Sequence, residues 1–324
     1  MSHAQRIYEY GGPEVMKWEP VNQTPPGSGE VQIKHHAIGV NFIDVYMRTG
    51  LYPAAEMPFI PGLEGVGVIT ELGPGVSELE PGDRVAYAGP VGAYAETRNV
   101  IAERCVIIPD EISSETAASA FLQGMTARFL LKETYPVGPD TTLLLQAAAG
   151  GAGLMIAQWA AHLGATVIGT AGSDEKCALA KANGCEHVIN YQTQDFVKVV
   201  AELTEGEGVD VVYDPVGKDT FPGSLDCLRP RGLWVCFGQA SGVIDPIDIR
   251  ILSQKKSLYA TRPMLFDYID TTDELHRTAG DLFYMLKKGH LKAAPNHQYA
   301  LKDAGEAHHD LEARKTTGSI ILLP

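Results

Sequence analysis

Residues 141–153, TTLLLQAAAGGAG, join an unbroken apolar run to a cluster of small residues. The run Thr141–Gln146 has the character of a strand buried on both faces, as parallel strands between helical layers are. A helix-period segment from Gly153 to Leu163 follows and stops at Gly164. Read as A-x-G-x-x-G from Ala148, the join puts glycines at Gly150 and Gly153. Gly150 would let a pyrophosphate approach the backbone, and Gly153 would let helix and strand pack closely. Gly151, Ala152 and Gly153 would then offer uncapped N–H groups at the positive end of the helix. A glycine pattern alone is equally served by a small-residue turn inside an α/β sheet. The strand before it, the helix after it and a second strand about 20 residues on favour a dinucleotide.

Working outward, strand and helix alternate. Thr166–Thr170, His187–Asn190, Val209–Asp214, Leu233–Phe237 and Ser257–Thr261 read as further strands, with helical stretches between most of them. Six such strands predict a doubly wound parallel sheet. Before it, the first 120 or so residues are β-rich, with short runs such as Val31–His35 and Gly67–Leu72 set off by Pro/Gly clusters. Phe42–Arg48 predicts a short helix stopped by Gly50, and Ser113 caps a long helix carrying Glu115 in its first turn. The closing run Gly318–Pro324 has no place in the parallel sheet and predicts a strand returning to the first domain. The expected division is 1–122 with 266–324, and 123–265.

Which dinucleotide binds is decided at the end of the second strand, where NAD-binding folds carry Asp or Glu for the ribose 2′-OH. Here Ile168-Gly169-Thr170-Ala171-Gly172-Ser173 carries no carboxylate until Asp174. Ser173 and Lys176 suit a 2′-phosphate instead, which favours NADPH. Lys176 has the alternative of being a solvated helix charge, and Asp174 and Glu175 would repel a phosphate if they pointed inward.

Composition bounds the rest. The 324-residue chain has formal net charge −14, with 45% hydrophobic and 20% charged residues. That balance counts against nucleic-acid binding. The apolar runs are too short for a membrane span, and the start MSHAQRIYEYGGPE lacks a signal-like apolar stretch. Five scattered cysteines without a CxxC pair fit a reducing compartment, so a cytoplasmic protein is expected.

The chain resembles the medium-chain dehydrogenase/reductases, and within them the quinone oxidoreductases related to ζ-crystallin. The motifs that carry the resemblance are Gly11–Glu14, Gly39–Asp44, Pro61–Gly65, Gly82–Val85, Ala148–Gly153, Ile189–Tyr191, Asp214–Gly217 and Gly318–Pro324. They run through nearly the whole chain in order. The resemblance implies a GroES-like catalytic domain joined to a Rossmann domain, with the active site between them. It also implies a homodimer formed through the last Rossmann strand, Ser257–Thr261. Where zinc-dependent members carry Cys, His and Cys, this chain has Asn41, Leu63 and Gln123. Leucine cannot ligate a metal and amides are poor zinc ligands, so no metal is expected. Glu64 is retained beside them, and a structural hydrogen bond to a nearby arginine is expected for it.

Without a Lewis acid, an electron-poor acceptor such as a quinone is the fitting substrate, since its developing oxyanion needs only hydrogen-bond donors. The resemblance implies Asn41, Tyr46, Tyr52 and Arg262 around nicotinamide and acceptor. It implies Thr126 and Phe237-Gly238-Gln239 at the nicotinamide half. Tyr191 and Arg314 are implied at the adenine ribose and 2′-phosphate. Taken singly, each tyrosine also suits packing, and Arg314 suits a solvated surface. An enone or enoyl reductase, and a non-catalytic NADPH-binding protein of crystallin-like or RNA-binding kind, remain as alternatives.

Overall fold

The structure is a computed structural model and describes residues 2–324. It divides into two compact units, Met1–Met125 with Ile269–Pro324, and Thr126–Tyr268. Both crossings fall three residues later than the division read from the sequence. The first lies inside the continuous helix Ser114–Phe129, so no linker composition marks it.

In the second unit, six strands form one sheet in the order His187–Asn190, Thr166–Ala171, Thr142–Leu145, Val209–Asp214, Leu228–Cys236, Tyr259–Thr261. Every neighbouring pair is parallel. Numbered along the chain this is 3-2-1-4-5-6, the doubly wound dinucleotide-binding arrangement. Leu143, Leu144 and Leu145 are fully buried, as helices on both faces of a parallel sheet require. The order in which strands are added reverses between Thr142–Leu145 and Val209–Asp214, which remain parallel, so their C-terminal ends border the crevice where such sheets take ligands.

Two boundaries differ from expectation for identifiable reasons. The fifth strand begins earlier, at Leu228, and is interrupted around Arg231, where φ is +63°. The sixth begins at Tyr259 rather than Ser257, because Lys256 and Ser257 hold left-handed φ of +71° and +56°. A left-handed pair cannot extend a strand.

The first unit is built on a seven-stranded sheet centred on Glu30–Val40 and Glu64–Leu72. The terminal strand Ser319–Leu323 pairs antiparallel with Glu30–Val40 and parallel with Pro295–Ala300. The terminal strand thus lies within the first unit's sheet, between Pro295–Ala300 and Glu30–Val40, and its Ile320 and Leu322 enter the core with Ile38 and Val40.

Candidate functional site

In the second unit the phosphate-loop motif sits directly after the first strand. Gly150 is the N-cap of the helix Gly151–His162, and no side chain caps that helix. Its first N–H groups are therefore left to solvent or a ligand. A Cβ on Gly153 would lie 2.9 Å from the Ala148 carbonyl carbon and closer still to the Ala147 oxygen. Gly153 is thus what lets helix and strand meet. Gly150 faces open space, its nearest prospective neighbour being the Ala147 oxygen at 3.4 Å. Ala147 itself holds φ +55°, and strain of this kind in a non-glycine residue gathers at functional loops.

The loop rests on a buried polar frame. Thr170 Oγ1 donates to Gln146 Oε1 at 2.6 Å, and the Ala147 N–H donates to Thr170 Oγ1 at 3.3 Å. Gln146 Nε2 donates to Ser224 Oγ at 3.2 Å, which in turn donates to Asp214 Oδ2 at 2.8 Å. Asp214 also accepts from the Val216 and Gly217 N–H groups, Thr220 Oγ1 and Trp234 Nε1. Gln146, Thr170 and Asp214 end three adjacent strands, so one network fixes the C-terminal edge of the sheet. Gln146, Thr170 and Asp214 stand in the sequence as polar residues at the ends of apolar strands, the signal by which such a network can be found.

Beside the loop, Ser173 caps the helix Asp174–Ala182, its Oγ accepting from the Lys176 N–H at 3.2 Å. Asp174 accepts from Asn190 Nδ2 at 2.7 Å, which ties down the carboxylate whose direction the sequence left open. Tyr191 packs against Gly172, where a Cβ would meet its ring. At the other end of the edge, Arg262 Nη1 donates to the carbonyls of Cys236 at 2.6 Å and Gly238 at 3.2 Å. The guanidinium therefore bolts down the Phe237-Gly238-Gln239 turn. Gly238 also packs against Pro215, where a Cβ would lie 2.7 Å from its Cα. Thr126 opens this unit, on the long helix.

In the first unit, Asn41 is the N-cap of the helix Phe42–Arg48, whose Asp44 carboxylate reaches back to the Asn41 N–H at 2.9 Å. Tyr46 on that helix and Tyr52 beyond it stack edge-on with ring centroids 5.3 Å apart, and the Tyr52 N–H donates to the Tyr46 carbonyl at 3.0 Å. The Asn41 side chain is buried. Its Nδ2 donates to Glu64 Oε1 at 2.6 Å, and its Oδ1 accepts from Gln123 Nε2 at 3.4 Å. Glu64 Oε2 accepts from the Leu122 N–H at 2.9 Å. The partners of Glu64 are thus an amide and a backbone N–H rather than an arginine. Burial pushes its carboxyl up, to about 8, against the lowering pull of those two donors. Asp44, equally buried, is pushed up to about 7. Arg314 belongs to this unit and holds φ +58° just after the helix Ala304–Glu312.

The predicted residues therefore fall into two sets. Gly150–Gly153, Ser173, Lys176, Tyr191, Phe237–Gln239, Arg262 and Thr126 lie in the second unit; Asn41, Tyr46, Tyr52 and Arg314 lie in the first. Among the described residues no three His, Cys, Asp or Glu side chains converge as a metal-ligand group. Asn41 and Gln123 bond to each other instead.

Comparison with known proteins joins these observations. Residues 27–110 match the alcohol dehydrogenase GroES-like domain, and 151–271 match the zinc-binding dehydrogenase family. A quinone oxidoreductase of Salmonella typhimurium is 48% identical over 321 residues, covering 98% of each chain. A 2-haloacrylate reductase of a Burkholderia species is 44% identical over 331 residues, covering 100% of this chain and 99% of that one. The crystal structure of Escherichia coli quinone oxidoreductase complexed with NADPH superposes with a TM-score of 0.97 at 44% identity, over 99% of this chain and all of that one. With both matching domains in order and end-to-end similarity at this level, the chain belongs to the quinone oxidoreductases of the medium-chain dehydrogenase/reductase superfamily.

Proposed function

We propose that the protein is an NADPH-dependent quinone reductase. The observation that carries this reading is the uncapped helix start at Gly151, behind a glycine loop and beside Ser173 and Lys176. Pyrophosphate suits the free N–H groups of Gly151, Ala152 and Gly153. The Ser173 hydroxyl, the Lys176 ammonium, Tyr191 and, from the first unit, the Arg314 guanidinium suit a 2′-phosphate. The relative crystallised with NADPH supports the same cofactor. When bound, NADPH supplies the reducing equivalents. Thr126 and the Phe237–Gln239 turn, held by Arg262, position its nicotinamide half.

On the acceptor side, Asn41 Nδ2 carries two N–H groups and gives one to Glu64. The second is assigned to the acceptor oxygen, where charge develops during reduction. The Tyr46–Tyr52 pair supplies an aromatic wall with hydroxyl edges. Similarity to a 2-haloacrylate reductase favours a second reading, in which an electron-poor C=C is the acceptor. The edge strand Tyr259–Thr261, with Tyr259 61% exposed, supports pairing of two copies through this sheet edge. A monomeric mass in sedimentation would remove the dimer. Residence in the cytoplasm is part of the same reading, supported by five cysteines all held as free thiols.

The test is steady-state oxidation of NADPH and of NADH with 1,4-benzoquinone, a 2-enone and 2-chloroacrylate. Rapid NADPH turnover with the quinone is expected. Turnover with the 2-enone or chloroacrylate alone transfers the assignment to C=C reduction. Tight NADPH binding without turnover of any acceptor removes the enzymatic reading.

A further inference from the structure

Glu64 lies outside the set of residues assigned to cofactor or acceptor, yet its carboxyl group is buried and engaged at both oxygens. It is 1% exposed and both its oxygens accept, Oε1 from Asn41 Nδ2 at 2.6 Å and Oε2 from the Leu122 N–H at 2.9 Å. Space is reserved for it. A Cβ on Gly39 would press against the carboxylate and come within 2.9 Å of the Ala118 carbonyl oxygen. The strand Glu30–Val40 therefore carries glycine where the carboxylate lies against it.

The hydrogen bonds around Asn41 have one direction. Glu64 Oε1 accepts, which fixes the Asn41 NH2 on that side and its Oδ1 on the other. Gln123 Nε2 donates to that Oδ1 at 3.4 Å, and on its far side the Ser319 hydroxyl shares its one proton between the Ser119 carbonyl at 2.7 Å and Gln123 Oε1 at 2.9 Å. Asn41 and Gln123 are thus orientated in series, and at the head of that series both Glu64 oxygens are engaged as acceptors. From this geometry we infer that Glu64 is a positioning residue, which orients the Asn41 amide so that its second N–H is presented to the acceptor oxygen. The inference rests on the reading that Asn41 meets the acceptor.

Glu64→Gln is the matching perturbation, since it keeps shape and removes only the acceptor character of one oxygen. Its NH2 must face either the Asn41 NH2 or the Leu122 N–H, donor against donor. Turning the Asn41 amide relieves the first conflict but sets its NH2 against Gln123 Nε2. The experiment is a double-mutant cycle of Glu64→Gln and Asn41→Ala, assayed for kcat and KM with NADPH and 1,4-benzoquinone well below the melting temperature. Misorienting a group at the reacting atoms costs on the order of tenfold to a hundredfold. That loss is expected in kcat for Glu64→Gln, with NADPH affinity unchanged. In the Asn41→Ala background the same substitution should change kcat by less than about threefold, because a residue acting through Asn41 is silent without it. Multiplying losses, or full activity of Glu64→Gln, would overturn the inference. Full activity of Asn41→Ala would instead remove the role of Asn41, and the inference with it. Should Glu64→Gln fail to fold, Gln123→Met breaks the same series from its other end. Its kcat loss should likewise vanish in Asn41→Ala, and persistence there would be equally fatal.

Discussion

Replacing Gly153 by alanine tests the structural basis of the proposed phosphate loop. The new methyl carbon would lie 2.9 Å from the Ala148 carbonyl carbon, and closer to the Ala147 oxygen. An ordinary carbon contact is roughly 3.5 Å, so the start of the helix Gly151–His162 must retreat by about 0.6 Å or more. The obstructing atoms are backbone, held by the Ala148 N–H to Thr170 carbonyl bond at 2.9 Å, and cannot swing aside. Overpacking of this kind costs about 2 kcal/mol. In a unit of this size that lowers the melting temperature by roughly 4–8 °C.

Gly150→Ala makes the opposite split. Gly150 has φ −78° and ψ 170°, which any residue adopts, and its prospective methyl meets only the Ala147 oxygen at 3.4 Å. Stability should stay within about 0.5 kcal/mol of the parent. The methyl would stand where the pyrophosphate approaches, so NADPH affinity should fall about ten- to a hundredfold, equal to roughly 1.4–2.8 kcal/mol. Thermal melting without cofactor and calorimetric titration with NADPH separate the two effects. If Gly153→Ala melts with the parent, the close helix–strand approach is wrong. If Gly150→Ala binds NADPH like the parent, the pyrophosphate lies elsewhere.

Lys176→Ala and Arg314→Ala should each weaken NADPH by about one to two decades while leaving NADH nearly unchanged, as loss of a charge-assisted phosphate contact of roughly 1.5–3 kcal/mol implies; equal losses for both cofactors in titration would deny them the 2′-phosphate. Arg48 is 0% exposed and its Nη2 pairs with Glu312 Oε2 at 2.8 Å, while Nε and Nη1 have no partner. Glu312→Ala should therefore strand a buried cation and cost about 3–5 kcal/mol in urea unfolding, a prediction that a loss below about 1 kcal/mol would refute. Burial holds the His308 imidazole down to about 3, with Arg48 adding to the effect. The unfolded chain thus takes up a proton near pH 6.5 that the folded one refuses, and stability falls as pH drops below 6.5 by up to about 1.4 kcal/mol per pH unit. Glu64 and Asp44, pushed up to about 8 and 7, act in the opposite sense below pH 6.5. The clean readout is therefore the stability gap between the parent and His308→Gln, which should shrink in the parent's disfavour from pH 6.5 to 4.5. A gap independent of pH would mean that His308 is protonated when folded.

Much of the fold was legible because parallel strands leave a simple trace. Val209–Asp214 and His187–Asn190 are short apolar runs between helical periods, and their bounds follow directly from that contrast. The terminal strand was legible as an apolar run with no vacancy in the second unit's sheet. Other features are set by tertiary structure. Lys256 and Ser257 give no local sign of left-handed backbone, and Pro295–Ala300 alternates exposure without an apolar pattern. Within the site, the residue types were readable but their pairings were not. Gln123 and Asn41 are separated by 82 positions and meet only because the helix Ser114–Phe129 lies against the end of the strand Glu30–Val40.

That pairing also gives physical sense to the pattern Asn41, Leu63, Glu64, Gln123. The resemblance implies that relatives with zinc hold a dication at these positions, beside a retained glutamate. In this chain the three side chains at those positions are neutral, while a buried carboxylate is still present. A buried carboxylate needs either a cation or several donors. Asn41 Nδ2 and the Leu122 N–H are those donors. The amide at position 41 is therefore constrained from two sides: it donates to Glu64, and the proposed acceptor role asks it to keep its other N–H. Aspartate cannot donate when ionised, and leucine cannot donate at all. Glutamine carries the same group one methylene further, into space already occupied by the carboxylate. Asparagine alone among these meets both demands at the geometry the strand end provides.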